Sequence, residues 1–255
     1  MKYFVVSDVH SFCNILLKTL HQKGFEISNP DHVLIVCGDL FDRGDESVGI
    51  FNFVTKLAEQ NRFIYIRGNH EDLLREAVFD IETHNLEIRH HISNGTMKTI
   101  EHFTGIHVFD LITGCYDKKQ FNEEINSILK FIDEYAVDYY ELDEYIFVHG
   151  WIPTIVKQTK FSDYNPPLIA DFPDGDWNEA RWYNGMEFWN RGSRIDGKTI
   201  VCGHWHTNYG HSKIDYKCSE WGPDAIFDPF IHDGIIAIDA CTAYSKKINC
   251  IVIER

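Results

Sequence analysis

The chain has no CxxC pair, no long apolar run, no internal repeat, no low-complexity tract and no Pro/Gly/Ser-rich linker. Without roughly 18 consecutive apolar residues, no membrane-spanning helix is expected. Without paired cysteines, neither a zinc ribbon nor a disulfide framework is expected, and an odd total of seven cysteines fits reduced thiols in a cytoplasm. Basic charge is also short. The 24 Lys and Arg against 39 Asp and Glu leave a net −15, which argues against a protein that grips long nucleic acids or adsorbs to anionic membranes. Met1–His10 carries one Lys and a short apolar stretch before Asp8, too short for a secretory signal. In a chain that is not exported, the sequon Asn94-Gly95-Thr96 reads as an ordinary turn.

The residues that are present point to a folded α/β protein. Hydrophobic residues make up 44% and aromatics 14%, which excludes disorder. At about 150 residues per domain, 255 residues give fewer than two domains, so one domain over 1–255 is expected. Short apolar runs rich in Val, Ile, Phe and Tyr read as buried strands: Tyr3–Ser7, His32–Cys37, Arg62–Arg67, Tyr145–Val148, Lys198–Cys202, Ile235–Ile238 and Ile248–Ile253. Ile15, Leu16 and Leu20 mark one helical face between the first two strands, and Val48, Phe51, Val54 and Leu57 another between the second and third. That alternation predicts βαβ units with parallel strands. His70–Phe79 continues as a helix, and Phe121, Ile125, Ile128, Leu129 and Ile132 predict an amphipathic one. A helical insertion is therefore expected around 80–144. An irregular substrate-side region is expected around 152–197, where Asp163–Gly197 is rich in Pro, Asn, Gly and Asp and is anchored by Trp177, Trp182, Tyr183 and Trp189.

The chemistry lies just past the ends of the strands. The successive runs end in Asp8-Val9-His10, Gly38-Asp39-Leu40-Phe41-Asp42-Arg43-Gly44, Gly68-Asn69-His70-Glu71, His149-Gly150 and Gly203-His204-Trp205-His206. Parallel strands deliver such loops to one rim, outside their carboxyl ends. Taken singly, each motif has a plainer reading. Asp-x-His is often a turn with a surface His, Gly-Asn-His a tight turn, and His149 a satisfied buried imidazole. His204 and His206 stand at a strand end, where one of them can face away. Their joint occurrence in this order favours a metal centre. The donors are oxygen and imidazole without thiolate, suited to Mn, Fe or Zn. They are too many for one ion and enough for two, with a shared carboxylate holding the ions about 3.5–4 Å apart.

GDLFDRG and GNHE resemble the signatures of the phosphoprotein phosphatase family within the calcineurin-like metallophosphoesterases. Asp8-Val9-His10, His149-Gly150, Gly203-His204 and the closing Ile238-Asp239-Ala240 are similar to that family's other blocks. The resemblance implies a four-layer αββα sandwich of two mixed β-sheets, with a dimetal site at the carboxyl ends of strands. It implies two divalent ions, manganese first, with iron or zinc as alternatives. Asp8 and His10 would bind one ion, Asp39 both, and Asn69, His149 and His204 the second. Arg43 and Arg181 would hold phosphate, and His70, oriented by Asp42, would be the general acid beside a metal-bridging hydroxide. A plainer role for Asp42 is the N-cap of the helix that begins near Ser47. Two departures stand out. Gly-His-Trp-His replaces the family's Gly-His-Thr, which makes His206 a candidate extra ligand, and Trp151 replaces a second Gly in the wall of the cleft. The implied activity is hydrolysis of phosphate monoesters, as a Ser/Thr phosphoprotein phosphatase or, alternatively, of symmetrical diadenosine tetraphosphate or related nucleotides. The expected partner is a phosphorylated protein or small phosphoester. A metal-binding module without chemistry would show a substitution at Asp39 or His70, and neither is substituted.

Overall fold

The computed structural model describes residues 1–85, 88–157 and 166–255. Strands β1 (Lys2–Val6), β2 (His32–Cys37) and β3 (Phe63–Ile66) run parallel, with helices α1 (Cys13–Gln22) and α2 (Ser47–Ala58) as crossovers. After β3 come α3 (Asn69–Thr83), α4 (Arg89–Asn94), α5 (Thr96–Thr104), α6 (Val108–Thr113) and α7 (Lys118–Tyr135). The chain then forms β4 (Ala136–Val137), β5 (Tyr140–Leu142), β6 (Tyr145–Phe147), the hairpin partners β7 (Thr154–Val156) and β8 (Leu168–Ala170), and the short helices α8 (Trp177–Ala180) and α9 (Gly185–Asn190). It closes with β9 (Thr199–Cys202), β10 (Phe230–His232), β11 (Ile235–Ala237), α10 (Thr242–Ser245) and β12 (Ile251–Glu254).

Two five-stranded sheets result, in the orders β12-β1-β2-β3-β4 and β10-β11-β9-β6-β5. Both are mixed: β12 is antiparallel to β1, and β10 and β5 are antiparallel to β11 and β6. Strand alternation builds the layers. Tyr3, Val5, Val33, Ile35 and Ile66 from one sheet meet Leu142, Phe147, Val201 and Ile238 from the other in a shared core. The opposite face of the first sheet, through Phe4, Val6, Leu34 and Val36, packs on α1, α2 and the helices of the 88–135 stretch. The opposite face of the second sheet, through Ile146, Val148, Ile200 and Cys202, packs on Trp151, Met186 and Trp189. These are the layers of the expected αββα sandwich.

Local chemistry sets the helices. Asp117 caps α7 by accepting from the N–H groups of Lys119 (2.8 Å) and Gln120 (3.2 Å), and Phe121, Ile125, Ile128, Phe131 and Ile132 form its buried face. In α2 the buried face is Ile50, Phe53, Val54 and Leu57, whereas Val48 is exposed. The stripe is thus rotated from the expected one: in the first turn it is Ser47 that is buried, its Oγ 2.9 Å from Ser11 Oγ and 3.0 Å from His102 Nδ1. The part of the irregular region at 158–165, including Asp163, lies outside the described residues. Of its anchors, Trp189 is buried, Tyr183 stacks on Phe188 at 4.1 Å and Trp177 on Tyr139 at 5.2 Å, but Trp182 is half exposed. Trp151 does not line a cleft: it is fully buried in the second core and donates to Ser193 Oγ at 3.0 Å.

Phe147 is fully buried between the sheets. Phe147→Ala is expected to lower stability by about 3–5 kcal/mol, read as a drop in the urea midpoint at unchanged slope.

Candidate metal centre

Interior strands of both sheets end at one place. Asp8 follows β1, Asp39 follows β2, Asn69 opens α3 after β3, His149 follows β6 and His204 follows β9. The main chain knits these loops together: the N–H groups of Asp8, His10 and Ser11 donate to the carbonyls of Gly38, Asp39 and Leu40. Glu71 closes the arrangement from α3. Its buried carboxylate accepts from the N–H groups of Gly68 (2.7 Å), Leu40 (3.0 Å) and Asp39 (3.1 Å). Gly203 has no room for a side chain, since a Cβ would stand 1.7 Å from Ser7 Oγ. Asp8, His10, Asp39, Asp42, Arg43 and His204 all have positive φ, between 49° and 72°, a costly conformation for non-glycine residues that marks an over-determined site.

Asp39 is central. Its Oδ1 lies 3.3 Å from His149 Nε2 and accepts from the His70 N–H at 3.1 Å. Its Oδ2 lies 3.7 Å from His10 Nε2 and 3.8 Å from His70 Nε2. Asp8 Oδ1 is 3.9 Å from His10 Nε2, and Asn69 Oδ1 is 2.9 Å from His149 Nε2. His204 completes a group with Asp39 and His149 whose ligand atoms all lie within 4.8 Å of one another. Backbone carbonyls select the tautomers. The Nδ1–H of His10 donates to Phe41 O (3.0 Å) and that of His149 to Cys37 O (2.8 Å), leaving both Nε2 lone pairs aimed at oxygens that also carry lone pairs. Ligand atoms around a tetrahedral ion stand about 3.3 Å apart, close to the spacings seen. The donors therefore fit two metal ions, one on each side of Asp39.

Electrostatics agree. Burial lowers His10, His149 and His204, keeping them neutral as ligands must be. Burial lifts Asp8 to about 6, with Asp39's charge adding to it and His149 opposing it. Asp39 is likewise raised by burial. His70 moves up to about 8: burial opposes its charge, but Asp39 and Asp42 outweigh it.

The other expected residues separate. His70 Nδ1–H donates to Asp42 Oδ2 at 2.7 Å, and Arg43 Nη2 lies 3.2 Å from His70 Nε2. Asp42 does not cap α2, whose N-cap is Glu46. His206, expected as an extra ligand, is outside these groups. The chain turns at His204, where Trp205 N–H bonds back to Gly203 O at 2.7 Å. That ends the strand alternation, and His206 instead faces Glu220 (3.6 Å) and Trp221 (4.7 Å). Arg181, expected on phosphate, is engaged by Asp72 Oδ2 (2.6 Å) and Asp138 Oδ1 (2.5 Å). Asp239 is a buried acid missed in the sequence beyond its place in the closing block. It follows the last interior strand and is raised well above the carboxylate range by burial and by Asp8. Its signal is the same as that of Asp8 and Asp39, an acid ending an apolar run.

The sequence profile of the calcineurin-like phosphoesterases matches residues 1–234. The chain belongs to that family of phosphoester hydrolases. This phosphoesterase is 33% identical over 76 residues to a bis(5'-nucleosyl)-tetraphosphatase (asymmetrical) of Bacillus velezensis, a match covering 28% of this chain and 30% of that protein. It is 32% identical over 74 residues to serine/threonine-protein phosphatase 1 of Salmonella typhimurium, covering 29% of this chain and 32% of that one. The chain is thus matched over about a third or less of the length of these curated relatives. A cold-active protein-tyrosine phosphatase from a psychrophilic Shewanella shares the fold, with a TM-score of 0.54 at 15% identity, over 100% of this chain and 75% of that one. Among the described residues no helix is long and apolar enough to cross a membrane.

The raised acids carry a pH signature. In metal-free folded protein Asp8 holds its proton up to about 6, whereas in the unfolded chain it is lost near about 3.9. Its contribution to stability therefore falls as pH rises from about 4 through about 6. The lowered imidazoles act in the opposite sense at higher pH, so Asp8→Asn isolates the effect: between about pH 4 and about pH 6 the melting temperature of chelator-treated wild type is expected to fall relative to that of the variant, by differential scanning fluorimetry.

Proposed function

We propose that the chain is a two-metal phosphatase that hydrolyses phosphate monoesters in the manner of the Ser/Thr phosphoprotein phosphatases, as a single cytoplasmic domain. The observation that carries this reading is the division of Asp39, one carboxylate oxygen facing His149 and the other His10 and His70. Asp8, His10 and Asp39 would hold one ion; Asp39, Asn69, His149 and His204 would hold the other. When bound, two such ions neutralise phosphoryl oxygens and make water nucleophilic near neutral pH. Manganese is our choice of metal for a site of oxygen and imidazole donors.

The protein's own groups do the rest. Arg43 presents a permanently charged fork at the mouth, beside His70, to bind phosphate oxygens. Once Arg43 Nη2, which faces Nε2 at 3.2 Å and can only donate to it, has turned to the phosphate, His70, raised to about 8, donates a proton to the leaving oxygen from Nε2, while Asp42 on Nδ1 fixes its ring and stabilises its charge. Arg181 we leave out of phosphate binding, since Asp72 and Asp138 already neutralise it. The alternative substrate, a dinucleoside polyphosphate, is favoured by Trp182, half exposed with its ring 5.9 Å from that of His204. There it offers a face to a base, and a relative is named for such an activity.

Asp39→Asn is expected to lose at least one metal and nearly all turnover; full activity with two metals bound, by elemental analysis and assay, would overturn the bridging role. Comparing a phosphopeptide with a dinucleoside tetraphosphate separates the two substrates. The phosphopeptide should turn over faster, and Trp182→Ala should leave it unaffected. A preference for the dinucleotide that Trp182→Ala abolishes would establish the alternative.

A further inference from the structure

The Asp42 carboxylate is fully buried and has more partners than His70. Thr96 Oγ1 donates to Asp42 Oδ2 at 2.7 Å, the same oxygen that accepts from His70 Nδ1–H. Thr99 Oγ1 donates to Asp42 Oδ1 at 2.7 Å and accepts from the Asp42 main-chain N–H at 3.0 Å. Both threonines lie on α5, one turn apart, so both hydroxyls project on one face. The helix is pressed into place. Gly95, which precedes it at φ 86°, touches the Arg43 backbone so closely that a Cβ would stand 2.4 Å from Arg43 N. At the other end His102 Nδ1 is 3.0 Å from Ser47 Oγ, which is 2.9 Å from Ser11 Oγ beside His10. Ile100, Met97 and Thr104 anchor the helix in the core.

We infer that Thr96 and Thr99 are positioning residues: from the helical stretch between β3 and β4 they hold both oxygens of Asp42, and through Asp42 they fix the imidazole of His70 for proton delivery. The inference rests on the general-acid reading of His70 for its kinetic consequence, though not for the geometry. A carboxylate with one partner can rotate about its terminal torsion, which is broad. With three side-chain donors and a hydroxyl held by its own N–H, Asp42 presents one oxygen to His70 in one direction. Among the described residues, no hydrogen bond or ion pair joins a side chain of this helix to a ligand atom of the metal centre or to the Arg43 guanidinium; its hydrogen bonds to the site are those to Asp42.

The test uses the full-length, Mn-loaded enzyme with Thr96→Val and Thr99→Val, which keep shape, and Thr96→Ser and Thr99→Ser, which keep the hydroxyl. Aryl phosphates with good and poor leaving groups are compared, with Asp42→Asn and His70→Asn in parallel. The Val variants should retain two metals and an unchanged KM. Their kcat should fall a few-fold on good leaving groups and roughly tenfold or more on poor ones, with the Ser variants near wild type. A uniform loss across leaving groups, or no rescue by Ser, overturns the inference, because loss of folded protein scales all substrates alike. A flat series for His70→Asn overturns instead the general-acid reading. The positioning is then decided by proton NMR of the His70 Nδ1–H in protein loaded with diamagnetic Zn in place of Mn. Slow exchange in wild type and Ser variants with fast exchange in Val variants sustains it, and equal exchange in all refutes it. Should Thr99→Val fail to fold for want of a partner to the Asp42 N–H, Thr96→Val alone carries the same readouts.

Discussion

A carboxylate with one oxygen turned to each of two imidazole sets is the constraint on which this molecule is organised. Asp39 can serve both sides only if its loop is held in a left-handed conformation and the loops around it cannot drift. Glu71 supplies that hold by accepting three main-chain N–H groups from two loops at once. A buried acid left to itself is unfavourable; here its negative charge is directed at amides that would otherwise lack partners. The same logic governs the imidazoles, where the carbonyls of Cys37 and Phe41 take one ring N–H each and leave the other nitrogen as a ligand.

Much of this is legible in the sequence because the fold is periodic where the site is made. Each apolar run of the interior strands stops at the residue that carries chemistry, so finding the strand finds Asp8, Asp39, Asn69, His149 and His204. Glu71 is visible as a letter of GNHE, but its work on three amides is not, since hydrogen bonds across 31 and 32 residues of chain leave no local pattern. Where the backbone departs from regularity, reading by motif fails. Likeness to a Gly-His-x-His motif makes His206 a candidate ligand, but the chain turns at His204, and His206 faces Glu220 and Trp221. Likeness to a motif puts Arg181 on phosphate, but its neighbours, Asp72 and Asp138, come from distant elements.

The stretch between α3 and β4 is instructive for a different reason. Its tripeptide Asn94-Gly95-Thr96 has an ordinary local reading as a turn, and it is a turn, between α4 and α5. Its importance comes from the backbone it is pressed against. Threonine hydroxyls in a helix are usually occupied with the preceding turn of their own backbone; those of Thr96 and Thr99 are directed instead to an acid more than 50 residues earlier in the chain.

The order of strands has one more consequence. Every interior strand of both sheets, β1, β2, β3, β6, β9 and β11, ends in a residue of the centre or its surroundings, while the outermost strands β12, β4, β10 and β5 end in none. Margins of a sheet open most easily, being paired on one side only. In this molecule such breathing consumes hydrogen bonds that no ligand depends on, so the rims are free to loosen, and to vary in sequence, around a middle that keeps its shape.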